Sequence, residues 1–247
     1  MVEREDRAPV GTFYAPGAWR ERVELDEGAA HHAQVKRLAV GHIVRLSSGD
    51  GRRAIGAIVV LLKRRLVVEI DTTSIEDVTA PARVDLWAPI GDRDRMLMLA
   101  EKSVELGVSS WRPVVYGRSR SVSLRGEGET FREKLRLRMI SALEQCGSAW
   151  LPELHHDRTL DVALAADAVS REGDRLLLDA EGESIGEVMH ALDVPVRLAL
   201  GPEGGLEEEE RVQFIRAGWR TVSLGGNVLR FETAGIAALA IVRSHLR

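Results

Sequence analysis

The 247-residue chain has a single cysteine, Cys146, and no long hydrophobic run. One cysteine excludes an intramolecular disulfide and favours a reducing compartment, so we expect a cytoplasmic protein. The longest apolar stretches, such as residues 55–62, are far too short to cross a bilayer. Residues 1–10 are charged and have no apolar centre, and they are therefore not expected to form a signal peptide.

Neither sign of charge dominates, because 34 Lys and Arg against 38 Asp and Glu give a formal net charge of −4. The whole chain is therefore not an obvious polyanion-binding protein. Basic residues are nevertheless concentrated between positions 112 and 138: Arg112, Arg118, Arg120, Arg125, Arg132, Lys134, Arg136 and Arg138, against only Glu127, Glu129 and Glu133. This cluster favours a local RNA-binding surface, whereas any single arginine is explained as well by a solvated helix face paired with glutamates.

Two glycine-rich loops near the C-terminus lack the features of phosphate-binding loops. They are residues 200–205 (LGPEGG) and 224–230 (LGGNVLR). No Walker lysine follows the first, and its spacing is not that of a Rossmann fingerprint. The first loop also carries Glu203 and runs into four glutamates at 207–210, which suit a helix N-terminus and would repel a phosphate. A neutral or cationic ligand held by backbone groups fits better, and S-adenosylmethionine, with a sulfonium and no phosphate, meets that description.

Each loop follows a predicted strand and precedes a helical pattern. The strands are residues 196–200 and 221–224. In open α/β sheets ligands bind at the carboxyl ends of the strands, so this placement predicts a ligand site there. The alternative is that both loops are only turns and helix caps.

Strands and helices alternate after residue 82, which predicts an α/β fold with a mostly parallel sheet. The predicted elements are strands at 84–89, 111–116, 176–179, 196–200 and 221–224, and helices at 94–106, 131–144 and 232–246.

The first part of the chain has a different pattern. Residues 1–74 are β-rich, with predicted strands within 41–46, 54–62 and 66–70. Residues 71–82 have the composition of a linker, and residues 117–130 that of a mobile loop. We therefore predict two domains, 1–74 and 75–247.

Four motifs occur in order along the chain. They are His32 with Val35-Lys36-Arg37-Leu38, the segment 102–108 (KSVELGV), the segment 144–147 (EQCG), and the two loops with Glu232-Thr233-Ala234. Together they resemble the RsmE family of bacterial 16S ribosomal RNA uridine-N3 methyltransferases, in the SPOUT superfamily. Three positions depart from the family's usual residues: Glu207, Asn227 and Ser148.

The resemblance implies a fold, a reaction and a partner. The fold would be a SPOUT methyltransferase domain with a C-terminal trefoil knot, preceded by a small PUA-like β-barrel RNA-binding domain. The reaction would be S-adenosylmethionine-dependent methylation of N3 of uridine 1498, in the family's rRNA numbering, in the small subunit. The enzyme would be a homodimer.

Site residues follow from the motifs and their chemistry. Arg230 is the first choice to contact the target base or its phosphate, and Glu203 is a general base, a complement to the sulfonium, or only a helix-start carboxylate. Capping of the last helix explains Glu232. Cofactor contacts are expected from Leu200, Gly201, Glu203, Gly204, Leu224, Gly225, Val228 and Leu229. RNA contacts are expected from Lys36, Arg37, Arg118, Arg120 and Arg230.

Other chemistries are less well supported by the sequence. A nucleophilic Cys146 would indicate methylation at C5 of a pyrimidine, but a lone cysteine beside helical apolar residues is more often a small buried hydrophobe. The adjacent pairs His31-His32 and His155-His156 lack partner ligands, so we expect no metal. Two other functions stay open: a SPOUT enzyme acting on another RNA site, such as a ribose 2′-hydroxyl, and a non-catalytic RNA-binding module.

Overall fold

The computed structural model describes residues 8–119, 128–170, 172–189 and 194–246 and divides the chain into two compact units. The smaller comprises Met1–Ala80 and Ile140–Leu151, and the larger comprises Pro81–Met139 and Pro152–Arg247. The smaller unit thus contains residues 1–74 together with a segment that is distant in sequence.

The described part of the smaller unit is built on one mixed sheet. Its elements are β1 (Thr12–Tyr14), β2 (Arg22–Leu25), α1 (Glu27–Val35), β3 (Ile43–Ser47), β4 (Arg52–Leu62), β5 (Arg65–Ile70), a 3₁₀ turn (Thr72–Ser74) and β6 (Glu76–Asp77). The strand order is β1-β3-β4-β5-β2, with β6 beside β4, and only the β1–β3 pair is parallel. The alternating patterns that predicted β3, β4 and β5 are confirmed.

Glu144 joins three segments of the smaller unit. It lies near the end of α3 (Gly128–Cys146), and its Oε1 accepts the Tyr14 backbone N–H at 3.0 Å. Its Oε2 lies 2.6 Å from His32 Nδ1 on α1. Because the Glu144 side chain is only 10% exposed, losing either partner would leave a largely desolvated carboxylate. His32 and Glu144, which both belong to sequence motifs, therefore have a structural role here.

The described part of the larger unit contains a seven-stranded sheet in which every pair is parallel. Its strands are β7 (Val84–Pro89), β8 (Ser110–Val115), β9 (Glu153–Leu154), β10 (Arg158–Thr159), β11 (Arg175–Ser184), β12 (Val196–Leu200) and β13 (Arg220–Ser223). The order is β10-β8-β7-β12-β11-β13, with β9 beside β8. Every residue of β7 and β12 is buried, as is usual for central parallel strands, and the two charged residues among them, Asp85 and Arg197, have ion-pair partners in Arg83 and Asp167.

Helices pack around this sheet. Besides the start of α3 they are α2 (Arg93–Glu105), α4 (Leu160–Asp167), α5 (Ile185–Val188), α6 (Glu208–Arg216) and α7 (Phe231–His245). Trp87 of β7, Phe214 of α6 and Trp219 form one aromatic cluster, with ring centroids 4.8 Å apart between the two tryptophans. On α7, Gly235 permits a close approach, because a Cβ there would lie 2.8 Å from Leu99 and 2.9 Å from Leu200.

The predicted helices and parallel strands of the larger unit are confirmed, although β11 extends past its predicted end at Asp179 and α3 begins earlier than predicted. Residues 128–130 belong to the first turn of α3 and not to the loop predicted at 117–130. Most of that predicted loop, residues 120–127, lies outside the described residues. None of the helices that the structure describes is both long enough and apolar enough to span a membrane.

Candidate functional site

A cavity of about 440 Å³ lies at the carboxyl edge of the parallel sheet, in the larger unit. Three neighbouring strands end there: β11, β12 and β13. The two glycine-rich loops form most of the wall, and α2 and α7 contribute Arg95 and Ala234. The prediction that both loops meet at one edge of the sheet is therefore confirmed.

The first loop is a tight turn between β12 and α6. Leu200 ends the strand with a buried side chain, and the Gly205 N–H donates to the Pro202 carbonyl at 2.9 Å. Gly205 has φ +74, a left-handed conformation that glycine adopts without strain. All residues of the loop except Gly204 line the cavity.

The four glutamates after this loop do different things. Glu207 is the N-cap of α6. Glu210 is buried, and its carboxylate accepts the backbone N–H groups of Glu207 and Gly117, each at 2.8 Å. Glu208 and Glu209 are exposed. Glu207 and Glu210 therefore cap the start of α6, and Glu203 precedes the N-cap residue in the loop.

The second loop is open to solvent. Gly225 has φ +129, and its N–H donates to Ser223 Oγ at 3.2 Å. The Val228 side chain is 94% exposed and that of Leu229 39% exposed, which is unusual for apolar residues beside a cavity. Arg230 then forms the N-cap of α7 and lines the same cavity.

Arg95 is the charged group that sequence reasoning missed. From the first turn of α2 it forms a short ion pair with Glu203, whose side chain is 18% exposed. Its Nε also lies 3.9 Å from Glu232 Oε1. The Glu232 side chain is buried at the start of α7, and its Oε2 has no hydrogen-bond partner among the described residues. Arg95 thus stands between two carboxylates at the cavity wall.

A second charged group lines the cavity where β11 is irregular. Leu178 and Glu183 both pair with Val222, so residues 179–182 bulge out of the sheet. Within the bulge, Asp179 is nearly buried and its Oδ2 lies 3.2 Å from Arg211 Nη1 of α6. Both side chains line the cavity. Sequence offered one usable signal for Asp179, its position at the end of a predicted strand.

The predicted cofactor residues converge on this cavity. Leu200, Gly201, Glu203, Leu224, Gly225, Val228 and Leu229 all line it, as does Arg230. Gly204 instead packs against Arg118, whose Nη1 donates to the Gly204 carbonyl at 3.3 Å.

The predicted RNA-binding residues are more scattered. Lys36 and Arg37 lie in the smaller unit just after α1, where Arg37 has φ +55. Arg118 lies in the larger unit beside the first loop, and Arg120 lies outside the described residues. Within the basic stretch, Arg138 pairs with Glu101 at 3.1 Å and Arg132 donates to the Leu154 carbonyl at 2.7 Å. These two arginines therefore hold structure as well as carrying charge.

Other motif residues prove to be structural. Lys102 Nζ lies 2.7 Å from Glu105 and 2.9 Å from Glu101, and these bonds raise the pKa of the Lys102 ammonium. Gly107, at φ +68, follows the end of α2, and Arg243 of α7 donates to its carbonyl. The segment 102–108 (KSVELGV) thus forms the end of α2 and the turn that α7 contacts.

Cys146 has an exposed side chain at the end of α3, in the smaller unit. The prediction of a small buried hydrophobe is therefore wrong. The error arose because Leu143 and Ala142 carry the buried face of this helix turn, whereas Cys146 lies off that face.

Comparisons with known proteins agree with this geometry. The family model described as RNA methyltransferase domain matches residues 78–243. A ribosomal RNA small subunit methyltransferase E from Rickettsia conorii is 25% identical over 245 residues, which is 94% of this chain and 94% of the relative.

Solved structures are similar over nearly the whole chain. The ribosomal RNA small subunit methyltransferase E of Neisseria gonorrhoeae, bound to S-adenosyl methionine, has a TM-score of 0.84 and 29% identity, covering 95% of this chain and 97% of its own. A Legionella pneumophila protein solved with the cofactor SAM bound has a TM-score of 0.84 and 29% identity, covering 94% and 96%.

Proposed function

The chain belongs to the RNA methyltransferase domain family, and from this premise we propose that it transfers a methyl group from S-adenosylmethionine to N3 of a uridine in 16S ribosomal RNA. The observation that carries the proposal is the convergence of both glycine-rich loops on one cavity. Similarity to small subunit methyltransferase E proteins over most of the chain supports the choice of ribosomal RNA.

The cavity suits S-adenosylmethionine in size and in charge. Its volume lies within the range of about 300–1,000 Å³ that is usual for small-molecule sites. The amino-acid end of the cofactor carries both charges and its sulfonium is cationic, and the wall offers both carboxylates and arginines. When bound, the cofactor supplies the methyl group.

We assign the binding contacts mainly to backbone groups of Leu200, Gly201, Leu224, Gly225, Val228 and Leu229, and we leave out Gly204 because it does not line the cavity. The exposure of the Val228 and Leu229 side chains supports this assignment, because packing does not explain their positions. Glu203, fixed by Arg95 at the wall, would complement the sulfonium.

The remaining chemistry concerns the uridine. N3 must lose a proton, and the negative charge that develops on the uracil is stabilised by a nearby cation. Arg230 is exposed, lines the cavity, and is not needed as a side-chain cap of α7. We therefore assign Arg230 to the target base or its phosphate.

The wider architecture is part of the same proposal. A PUA-like barrel in the smaller unit would hold RNA through Lys36 and Arg37, and Arg118, Arg120 and Arg230 would hold it at the methyltransferase domain. A C-terminal trefoil knot, a homodimer and a cytoplasmic location follow from the family resemblance. The predicted division at residue 74 stays part of this proposal.

Calorimetry and a methyl-transfer assay test the proposal. The full chain is titrated with S-adenosylmethionine, and then incubated with labelled cofactor and unmodified small-subunit RNA or subunits. We expect binding and the appearance of N3-methyluridine. A product methylated on a ribose 2′-hydroxyl would contradict the assigned site, and absence of cofactor binding would indicate a non-catalytic RNA-binding module.

A further inference from the structure

A second cavity, of about 290 Å³, lies in the larger unit outside the cofactor site. Since a water molecule occupies about 30 Å³, this space is too large for an ordinary packing defect. The apolar residues that line it include Met96 of α2, Pro113 of β8, and Phe131 and Leu135 of α3. Polar groups from Glu129, Arg132, His155 and Asp157 complete it.

The second cavity is a neighbour of the first. Met96 lines the second cavity and the preceding residue, Arg95, lines the first, so only the first turns of α2 separate them. Ile90, which directly follows β7, also lines the second cavity. Because β7 and β12 are adjacent parallel strands, both cavities lie at the same edge of the sheet. A ligand in the second cavity would therefore be close to the site of methyl transfer.

Two buried nitrogen atoms at this cavity lack partners. Arg132 Nη1 and His155 Nε2 are buried and have no hydrogen-bond partner among the described residues. Buried polar atoms are normally hydrogen-bonded, so each indicates a partner that the protein's described residues do not supply. Burial and the charge of Arg112 lower the pKa of His155 and so favour the neutral ring, in which one nitrogen donates and the other accepts.

The apolar and charged residues that line the second cavity indicate which class of ligand it can bind. The carboxylates of Glu129 and Asp157 would repel a phosphate, whereas apolar walls with both donors and acceptors match the face and edge of a nucleobase. Phe131, in the wall of the second cavity, has an aromatic ring, the kind of side chain on which unpaired bases stack.

We propose that the second cavity receives an unpaired nucleobase of the RNA substrate, next to the nucleotide that is methylated. The inference rests on the proposed function, since it requires an RNA substrate at this edge of the sheet. It assigns recognition of sequence to Arg132, His155 and Asp157, separately from cofactor binding.

The test measures three quantities on the full chain: affinity for S-adenosylmethionine, affinity for unmodified small-subunit RNA, and methyl transfer. The variants are Asp157→Asn and Arg132→Lys, with Glu209→Gln and Arg216→Lys as controls that alter one exposed group of α6. Removing a carboxylate strengthens general attraction to phosphates, so weaker RNA binding by Asp157→Asn cannot come from charge alone.

We expect RNA affinity to fall about tenfold in both cavity variants, with cofactor affinity unchanged within about twofold. RNA affinities equal to those of the controls would overturn the inference. A wild-type chain that binds RNA but transfers no methyl group would instead overturn the proposed function, and the RNA affinities of the variants would still decide the role of the cavity.

Discussion

Arg95 is the residue on which the charge balance of the cofactor cavity depends. It pairs with Glu203 and lies 3.9 Å from Glu232, whose side chain is buried. Replacing Arg95 by alanine would leave the carboxylates of Glu203 and Glu232 without their shared cation. The Glu232 carboxylate is desolvated, so an unpaired negative charge there would destabilise the proposed binding site.

We expect Arg95→Ala to lower kcat/KM by about a hundredfold, the lower end of the loss measured when one preorganised donor is removed from an active site. Arg95→Lys keeps the charge and should retain part of the activity. Steady-state kinetics with varied S-adenosylmethionine give the measurement, and Arg216→Ala on the exposed end of α6 is the control. Unchanged kinetics in Arg95→Ala would exclude this role.

His155 makes the stability of the larger unit depend on pH. Its folded-state pKa is lowered, first by burial and then by Arg112, so the unfolded chain binds a proton more readily than the folded one. Stability is therefore full above the ordinary histidine range near pH 6.5 and falls as the pH drops through that range toward the lower folded pKa.

Thermal unfolding between about pH 8 and pH 5 measures this effect. We expect the midpoint of the wild-type chain to fall on acidification by more than that of His155→Gln, which carries no titrating ring. Equal falls in the two proteins would show that other groups account for the pH dependence.

At the scale of elements, the second loop depends on the backbone of one glycine. Gly225 has φ +129, which a residue with a Cβ adopts only under strain of about 1–3 kcal/mol. Gly226 beside it has an ordinary φ, and a Cβ at either position would meet no atom within 4 Å. The two positions therefore differ in conformation and not in available space.

Gly225→Ala should raise the dissociation constant of S-adenosylmethionine about tenfold, because the strain opposes the bound form of the loop. Gly226→Ala should bind as the wild type does. Calorimetric titration of both variants is the measurement. Equal affinities would show that the loop conformation does not contribute to the site.

Much of this sheet is predictable from local sequence, because its central strands are short runs of mostly apolar residues. β7 and β12 begin and end at the predicted residues, and the loops after β12 and β13 reach the predicted edge. The extension of β11 beyond Asp179 was not predictable, since polar residues there pair with β13 only after a bulge. The ion pair of Arg95 with Glu203 joins positions 108 residues apart and depends on how α2 packs.

Helix α1 was not predicted, because its sequence has only a weak helical pattern. α1 is only nine residues long and its apolar face is small, with Ala30 and Ala33 as its buried residues. Its place is set by contacts such as the His32–Glu144 pair, which no local pattern reveals. Local sequence patterns therefore predicted most accurately the strands in which every residue is buried.

At the scale of the whole molecule, the cavity formed by the two glycine-rich loops and the second cavity both lie in the larger unit, at one edge of the parallel sheet. The smaller unit contributes Lys36 and Arg37 to the proposed RNA contacts and has its own hydrophobic core, which includes Phe13, Leu46 and Ile58. The proposed placement of cofactor binding in the larger unit and of further RNA contacts in the smaller unit would allow an enzyme to bind a large RNA and a small cofactor at the same time.

The most direct test of the central claim is a map of modified nucleosides in the 16S ribosomal RNA of cells with and without this protein. We predict that one N3-methyluridine disappears when the protein is absent and returns when the wild-type chain is restored. Intact N3-methyluridine in the cells that lack the protein would contradict the account.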